Sequence, residues 1–321
     1  MTGFKSLILW LVILPSSVFS QAIDNTLCYK AIGSKDYIRL NYENDFFSAT
    51  DIYYTQGINL EWVSPVIKRF PLVKLLIVPF KTNTQYGIAI EHAGYTPTCI
   101  SHDEVLLNDR PFTATLQLKT FSISIDTISK RRFSSTLSTG VIGQAAGGME
   151  MQTSIHRWLH NITPHGWPNQ IHNDLALNYQ VDYEQQLIRA GKVFSLDGDA
   201  IARIGTLSDK ISAGGTVMVG YFESPYGLGN KNRKKVNVYL YDHFQADAIG
   251  YDATMQGGLF NHTSPYTLPE SAINWFVIEN RAGFVISWQN IYLEYFRTQI
   301  TREFSRGRPH EWGGVQVAVG F

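Results

Sequence analysis

The chain has 321 residues, a length that suits either about two soluble domains of ~150 residues or one β-barrel. Its 27 basic and 27 acidic residues balance, so there is neither a basic excess for nucleic acid nor an acidic tail. Aromatic residues (17 Tyr, 18 Phe, 7 Trp) and 26 glycines are abundant while 17% of residues are charged, and this composition favours β-structure.

The first twenty residues have the pattern of a secretory signal peptide. Lys5 gives a positive start, and the apolar run Leu7–Leu14 is followed by Pro15 and small residues that predict cleavage near Gln21. The alternative is an uncleaved anchor, but the run is shorter than the ~20 residues that span a bilayer as a helix. We therefore predict a signal peptide at 1–20 and a single mature domain at 21–321.

Two cysteines, Cys28 and Cys99, belong to the predicted mature chain. Export to an oxidising compartment makes a disulfide between them possible. The sequence leaves open whether they pair.

Segments that alternate between apolar and polar residues recur along the mature chain, with turn-rich pieces between them. In the first segment, Ile38, Leu40 and Tyr42 share one face. We count twelve segments: Asp36–Phe46, Tyr53–Val63, Gln85–His92, Phe112–Asp126, Phe133–Ile142, Asp174–Arg189, Lys192–Thr206, Ile211–Phe222, Val236–Ala248, Ile273–Ser287, Ile291–Glu303 and Glu311–Phe321. Soluble sandwiches also alternate, but an even number of long two-faced strands is typical of outer-membrane barrels. The predicted fold class is all-β, an antiparallel transmembrane β-barrel of about twelve strands in the bacterial outer membrane.

One segment breaks the alternation. In Glu150–Leu159, the residues Ile155, Trp158 and Leu159 follow the i, i+3, i+4 spacing of one helical face. Glycines precede this segment and prolines follow it, so the sequence predicts a short helix within a long extracellular loop.

The unusual polar residues lie after the first, third and fifth predicted strands. In a barrel whose N-terminus is periplasmic, these three connections all lie at the outer end, which brings distant segments to one rim. They carry Asn44, Asp45 and Thr55 after the first strand, Arg110 after the third, and Gln152 and His156 in the helix after the fifth.

Each of these residues has a structural and a functional interpretation. Asn44 and Asp45 are common turn formers, but their oxygens also suit a hard cation such as Ca²⁺. His156 is either a packed histidine or a general base. Gln152 lies one helical turn before His156 and is either solvated or orients the imidazole or a water molecule. Arg110 either caps a surface or binds a phosphate through two hydrogen bonds.

Other hydrolytic motifs are absent from the sequence. His160 follows His156 at i+4, but Arg157 stands where zinc proteases carry a glutamate. There is no G-x-S-x-G elbow and no phosphate-binding loop.

At the rim residues the sequence resembles the LpxR-type outer-membrane lipid A 3′-O-deacylase family. The resemblance runs from about residue 37 to the C-terminus. It is carried by Glu43–Phe47 (ENDFF), Thr50–Gly57 (TDIYYTQG), Asp109–Phe112 (DRPF), Gly140–Gly143 (GVIG), Gln152-x-x-x-His156, Gly166-Trp167 with Gln170, and Gln256–Phe260 (QGGLF).

The resemblance implies Ca²⁺-dependent removal of the 3′-linked acyloxyacyl group from lipid A in the outer leaflet. By motif, His156 would be the general base, with Asn44, Gln152 and Thr55 as further catalytic residues. Asp45 and Asn44 would hold the calcium ion, and Arg110 would bind a substrate phosphate. We expect a monomer with no nucleic-acid partner. The alternatives are an outer-membrane phospholipase or esterase that acts on another lipid, and a non-enzymatic small barrel.

Overall fold

The computed structural model describes residues 23–50, 52–80, 83–227 and 236–321, so the predicted signal peptide lies outside the described residues. Antiparallel strands form a closed barrel in which each strand pairs with its sequence neighbours and β1 pairs with β12. The strands are β1 (Tyr37–Asn44), β2 (Tyr53–Val63), β3 (Thr84–Thr96), β4 (Thr113–Asp126), β5 (Arg131–Ile142), β6 (Asp174–Ala190), β7 (Phe194–Gly205), β8 (Ser208–Tyr221), β9 (Val236–Asp252), β10 (Phe276–Trp288), β11 (Ile291–Ile300) and β12 (His310–Gly320).

All twelve predicted strands are confirmed, with differences at their ends. β2 has the predicted bounds, whereas β9 continues four residues beyond the predicted Ala248. β10 begins at Phe276 rather than at Ile273, because Ile273 forms only an isolated bridge with Phe304.

The helices are short and lie in the connections. The α-helices are α1 (Gly148–Leu159) and α2 (Ala253–Gln256), so the predicted helix is confirmed and begins two residues earlier. The 3-10 helices are Cys28–Lys30, Asp45–Ser48, Pro65–Arg69, Pro71–Leu75, Gln144–Ala146, Trp167–Asn169 and Glu270–Ala272. Within the described ranges, no helix has the length and apolarity needed to cross a bilayer.

Alternation along the strands separates an apolar outer wall from a polar interior. On β1, Ile38 and Leu40 are each 47% exposed and face outward, whereas Arg39 and Asn41 are buried inside. An apolar exterior around a polar lumen is the pattern of a barrel that crosses a membrane. Many of the interior charges form ion pairs, which offset the cost of burying them. The pairs include Arg39–Glu61, Lys119–Glu91, Arg132–Glu184, Lys210–Asp247 and Arg281–Glu43.

The segment before β1 folds into the lumen. Asn25 donates hydrogen bonds to Asn59 and Glu61, and the backbone N–H of Cys28 donates to Glu184 over 2.8 Å. The hydroxyl of Tyr239 donates to the carbonyl of the residue that follows Cys28. Cavities of about 70 Å³ and about 280 Å³ lie between this segment and the barrel wall, the larger one beside Cys28, Ile125 and Tyr239. The N-terminal segment therefore occupies part of the lumen.

Both cysteines are free thiols. Cys28 is buried in the lumen, whereas Cys99 lies in the connection after β3 and is partly exposed. The structure therefore contains no disulfide between them.

The connections after odd-numbered strands all lie at one end of the barrel, which we call the upper end. The segments between β1 and β2, β3 and β4, and β5 and β6 are among them, and α1 belongs to the last of these. Successive strands run in opposite directions, so every second connection lies at the same end of the barrel. The predicted convergence of three connections at one end is therefore confirmed.

Candidate active site

Four opposed residues form a row across the outer wall of β1 to β4 at the upper end. Asn44 follows Leu40 by four residues and therefore shares its outward face. Asn44 is opposite Gln56, Gln56 is opposite Gly94, and Gly94 is opposite Ala114. Opposed residues of antiparallel strands project to the same side, so the row lies outside the barrel and spans three strand spacings, about 14 Å.

Helix α1 lies against this row from outside. A Cβ atom on Gly148 would be 2.5 Å from the Cβ of Ala114, so the start of α1 touches the end of the row. The buried residues of α1 are Gly148, Gln152 and His156, which follow one another at intervals of four and share one face. Trp158, in contrast, is 79% exposed. The polar face of the helix is therefore turned to the barrel wall, and the two predicted site residues of α1 lie on it.

Trp167 fixes both the helix and the Gln152 side chain. Its ring packs against Gly148 and against Phe112, with ring centroids 5.1 Å apart. Its indole Nε1 donates a hydrogen bond of 2.7 Å to Oε1 of Gln152. Because Oε1 is held in this way, the orientation of the amide is set, and Gln152 Nε2 is buried without a hydrogen-bond partner among the described residues. The site thus contains an oriented donor whose acceptor is missing.

The imidazole of His156 is also held in one orientation. Nδ1 lies 2.6 Å from the carbonyl oxygen of Ile162, a residue just beyond the end of α1. A carbonyl oxygen only accepts, so Nδ1 carries a hydrogen and Nε2 is the basic atom of the neutral ring. This is the arrangement that a general base needs.

Asn44 and Asp45 organise the turn that follows β1. Asn44 Oδ1 accepts a hydrogen bond of 2.7 Å from the backbone N–H of Phe46 and so caps the 3-10 helix Asp45–Ser48. Asp45 Oδ2 accepts one of 2.7 Å from the N–H of Ile52. Both side chains therefore form the turn, as the structural interpretation predicts. A carboxylate or amide oxygen still has a second lone pair, so these bonds do not prevent metal binding.

Thr55 is an extra residue in the β2–β3 pairing. The register shifts between Tyr54 and Gln56, so Thr55 forms a bulge beside the row. Its hydroxyl lies 2.7 Å from that of Thr96, and both side chains are buried. At the start of the strand, Tyr53 has a φ of 65°, which is rare for an aromatic residue. Strained backbone next to a bulge is a recurrent feature of functional sites.

The oxygen donors here suit a hard cation. In the part of the chain that the structure describes, no three His, Cys, Asp or Glu side chains are grouped to hold a metal ion. The donor set near the row consists instead of amide, carboxylate and hydroxyl oxygens from Asn44, Asp45 and Thr55. Such a set fits Ca²⁺, and with a single carboxylate it would bind the ion weakly and need water, backbone or substrate oxygens to complete the shell.

The sequence matches the model of a protein family, described as outer membrane protein LpxR, over residues 7–321. The chain belongs to this family. Membership of the LpxR family implies an enzyme of the outer membrane that removes acyl chains from lipid A.

A solved structure, LpxR from Salmonella typhimurium, is similar in fold, with a TM-score of 0.73 and 20% sequence identity. The match covers 89% of this chain and 100% of that chain. The β domain of the Bordetella autotransporter BrkA matches with a TM-score of 0.45 and 8% identity, over 90% of this chain and 100% of that one. Among curated proteins there is no match.

The structure places Arg110 inside the barrel, away from the other predicted site residues of this LpxR-family chain. It is 1% exposed, lies over the ring of Tyr95 at 4.4 Å, and donates to Glu303 at 2.5 Å and to Thr254 at 2.7 Å. Burial raises the pKa of Glu303, and Arg110 opposes that rise. Nε of Arg110 is buried and has no hydrogen-bond partner among the described residues, so one donor of the guanidinium is not used by Glu303 or Thr254. The ion pair with Glu303 gives Arg110 a structural role, and the phosphate contact stays a prediction.

Two further polar residues on the outer wall escaped the sequence analysis. Gln56 and His92 are buried, and Gln56 Nε2 has no hydrogen-bond partner among the described residues. A signal for them exists in the sequence. Outward residues of β2 run Trp62, Leu60, Ile58 and then Gln56, and the outward residues Ile88 and Ile90 of β3 lead to His92. A polar residue that ends an apolar, lipid-facing row marks the place where the wall stops meeting lipid.

Proposed function

We propose that the protein is a Ca²⁺-dependent lipid A 3′-O-deacylase that hydrolyses the 3′-linked acyloxyacyl ester with His156 as general base. The observation that carries the proposal is the position of Gln152 and His156 on the buried face of α1, against the outside of the barrel. A site between the outer wall and a helix opens towards the membrane rather than towards the lumen. It is therefore accessible to a lipid that remains in the leaflet.

His156 would activate water. Nε2 accepts a proton from a water molecule while the water oxygen attacks the ester carbonyl, and a tetrahedral oxyanion forms. When the bond between the carbonyl carbon and the 3′ oxygen breaks, the proton on Nε2 passes to the leaving oxygen. The products are a free acyloxyacyl acid and a 3′ hydroxyl group, and no serine nucleophile is required.

Gln152 would stabilise the charge that develops. Its Nε2 is oriented by the Trp167 bond before substrate arrives, so donation to the oxyanion requires no reorganisation. Asn44 and Thr55 would hold the turn after β1 and the bulge in β2 in place beside the reacting ester. Asn44 and Asp45 would hold the Ca²⁺ ion, which polarises the ester carbonyl when it is bound.

The two alternatives differ in their support. A non-enzymatic pore fits poorly with a lumen that the N-terminal segment and buried ion pairs obstruct. A phospholipase would use the same groups on a different lipid, so it is separated from the first proposal by the product.

Mass spectrometry of lipids from cells that express the protein tests the proposal. We compare wild type with His156→Asn and with the control variant His160→Asn. His160 is exposed and lies at the end of α1. The expected result is lipid A lighter by one acyloxyacyl group for wild type and H160N, dependent on calcium, and unchanged lipid A for H156N. Lysophospholipid with intact lipid A supports the phospholipase instead. Unchanged lipids in every strain contradict both.

A further inference from the structure

Gln56 carries a buried donor with no acceptor. The residue is 1% exposed, and Nε2 has no hydrogen-bond partner in the described part of the chain. Leaving an amide N–H in such a place is unfavourable for folding. In native proteins an unpaired buried group of this kind has a reason, and one such reason is an acceptor that arrives with a ligand.

The orientation of the side chain shows where that acceptor would come from. A Cβ atom on Gly94 would lie 3.2 Å from Gln56 Cγ and 3.4 Å from Nε2, so the side chain lies flat across Gly94. Gly94 is the next residue of the outer row, and Ala114 beyond it touches Gly148 of α1. The amide of Gln56 is therefore turned from β2 towards β3, a strand that α1 contacts.

Two unpaired amide donors thus lie near the contact between α1 and the outer wall, one on the helix and one on β2. Gln152 Nε2 comes from the buried face of α1, which contacts β3 and β4, and Gln56 Nε2 comes from the wall across β3. Paired donors of this kind, fixed before the reaction, are what stabilises the oxyanion in acyl transfer.

We propose that Gln56 is a second oxyanion donor, which hydrogen-bonds through Nε2 to the carbonyl oxygen of the scissile ester. This inference rests on the proposed function, because it assigns a residue to the same reaction. The bond strengthens as the carbonyl oxygen gains charge, so its effect falls on kcat rather than on KM.

The test measures acyl release from lipid A by purified full-length protein in vesicles. We compare wild type, Gln56→Leu, Gln56→Glu and the control Gln299→Leu, which removes a glutamine from the outward face of β11. For Q56L the expected loss in kcat is about 10²- to 10³-fold, the size observed when one oxyanion donor is removed, with KM nearly unchanged. Q56E loses at least as much because a carboxylate repels the oxyanion, and Q299L keeps wild-type rates.

Stability separates this role from a merely structural one. Q56L removes an unpaired buried donor, so its midpoint of urea unfolding should equal or exceed that of wild type. A kcat within threefold of wild type in Q56L, a Q56E that retains activity, or a loss that follows a lowered midpoint would each overturn the inference. If the wild-type protein itself releases no acyl chain from lipid A, the proposed function fails, and Gln56 as a donor in that reaction fails with it.

A second substitution tests the geometry without touching the amide. Gly94→Ala places a methyl group against Gln56 and shifts Nε2 by a few tenths of an ångström. We expect a kcat loss of about tenfold in the wild-type background. In the Q56L background G94A should have no further effect on kcat, because contacting residues are non-additive. Equal losses in both backgrounds would show that Gly94 acts independently of Gln56.

Discussion

Trp167 donates its indole N–H to Oε1 of Gln152 over 2.7 Å, and this bond decides which atom of the amide is left without a partner. With Oε1 occupied, the donor Nε2 is left towards the barrel wall. The same ring packs on Gly148, so one residue from the connection after α1 determines both the position of the helix and the polarity of its buried face. The amide of Gln152 therefore has one fixed orientation.

Trp167→Phe should lower kcat about tenfold and leave KM nearly unchanged. The phenyl ring keeps much of the packing against Phe112, but Gln152 loses the bond that fixes its amide. An unpaired buried oxygen also lowers the free energy of unfolding by about 1–3 kcal/mol. The measurements are acyl release from lipid A vesicles and urea unfolding in micelles.

Trp312→Phe is the matched control for that variant. Trp312 is equally buried and donates its indole N–H to Glu43 over 2.9 Å, but it does so inside the barrel. We expect a similar loss of stability with wild-type kcat. Equal kcat losses in the two variants would show that the Trp167 effect arises from general destabilisation.

Glu303→Gln should lower the free energy of unfolding by about 3–5 kcal/mol, because it leaves the Arg110 guanidinium buried without its counter-charge. The double variant Arg110→Met/Glu303→Leu removes both charges and should recover most of that loss. If the pair is structural, the double variant also retains wild-type KM and kcat. A large rise in KM for lipid A with normal stability would instead support the predicted phosphate contact.

The strands could be predicted because lipid outside and polar groups inside impose a period of two along every strand, as Ile38, Arg39 and Leu40 illustrate. The number of strands before each connection then determined at which end of the barrel that connection lies. The number of strands does not determine whether a residue at that end faces inward or outward. Arg110 lies three residues before the start of β4, yet its partner Glu303 comes from the connection between β11 and β12. Only the closed barrel brings those two segments together.

The helix illustrates a different limit. Its apolar residues Ile155, Trp158 and Leu159 predicted the helix correctly through their spacing. An apolar face normally packs on the protein, but here Trp158 and Leu159 are exposed and the polar residues Gln152 and His156 are buried. Beside a membrane the surroundings are themselves apolar, so the usual relation between hydrophobicity and burial is reversed.

Asp45→Asn should raise the calcium concentration needed for half-maximal activity at least tenfold. The amide oxygen still accepts from the N–H of Ile52, so the turn is preserved, whereas the negative charge near the row is lost. Calcium titration of acyl release after treatment with a chelator gives the measurement. Asp109→Asn is the control, because Asp109 accepts similar backbone bonds in the connection after β3. Identical calcium curves for D45N and wild type would exclude Asp45 as a ligand.

Trp158→Gln should impair activity only when the substrate is in a bilayer. The side chain is 79% exposed and lies away from the buried face of α1, where an indole would enter the headgroup region of the membrane. Losing that contact removes apolar burial of about 1–2 kcal/mol, so KM for lipid A in vesicles should rise roughly tenfold.

Detergent-dispersed substrate separates membrane contact from catalysis in the same variant. W158Q should have wild-type kcat and KM on lipid A in micelles, since the oriented groups Gln152 and His156 are untouched. Phe276→Gln is the matched control: Phe276 is 83% exposed at the upper end of the barrel, on β10 rather than beside the site. Were Trp158 only a general membrane anchor, F276Q would raise KM in vesicles as much as W158Q does. A defect confined to W158Q would mean that α1 itself dips into the leaflet, and that the lipid reaches the catalytic face of the helix without leaving the membrane.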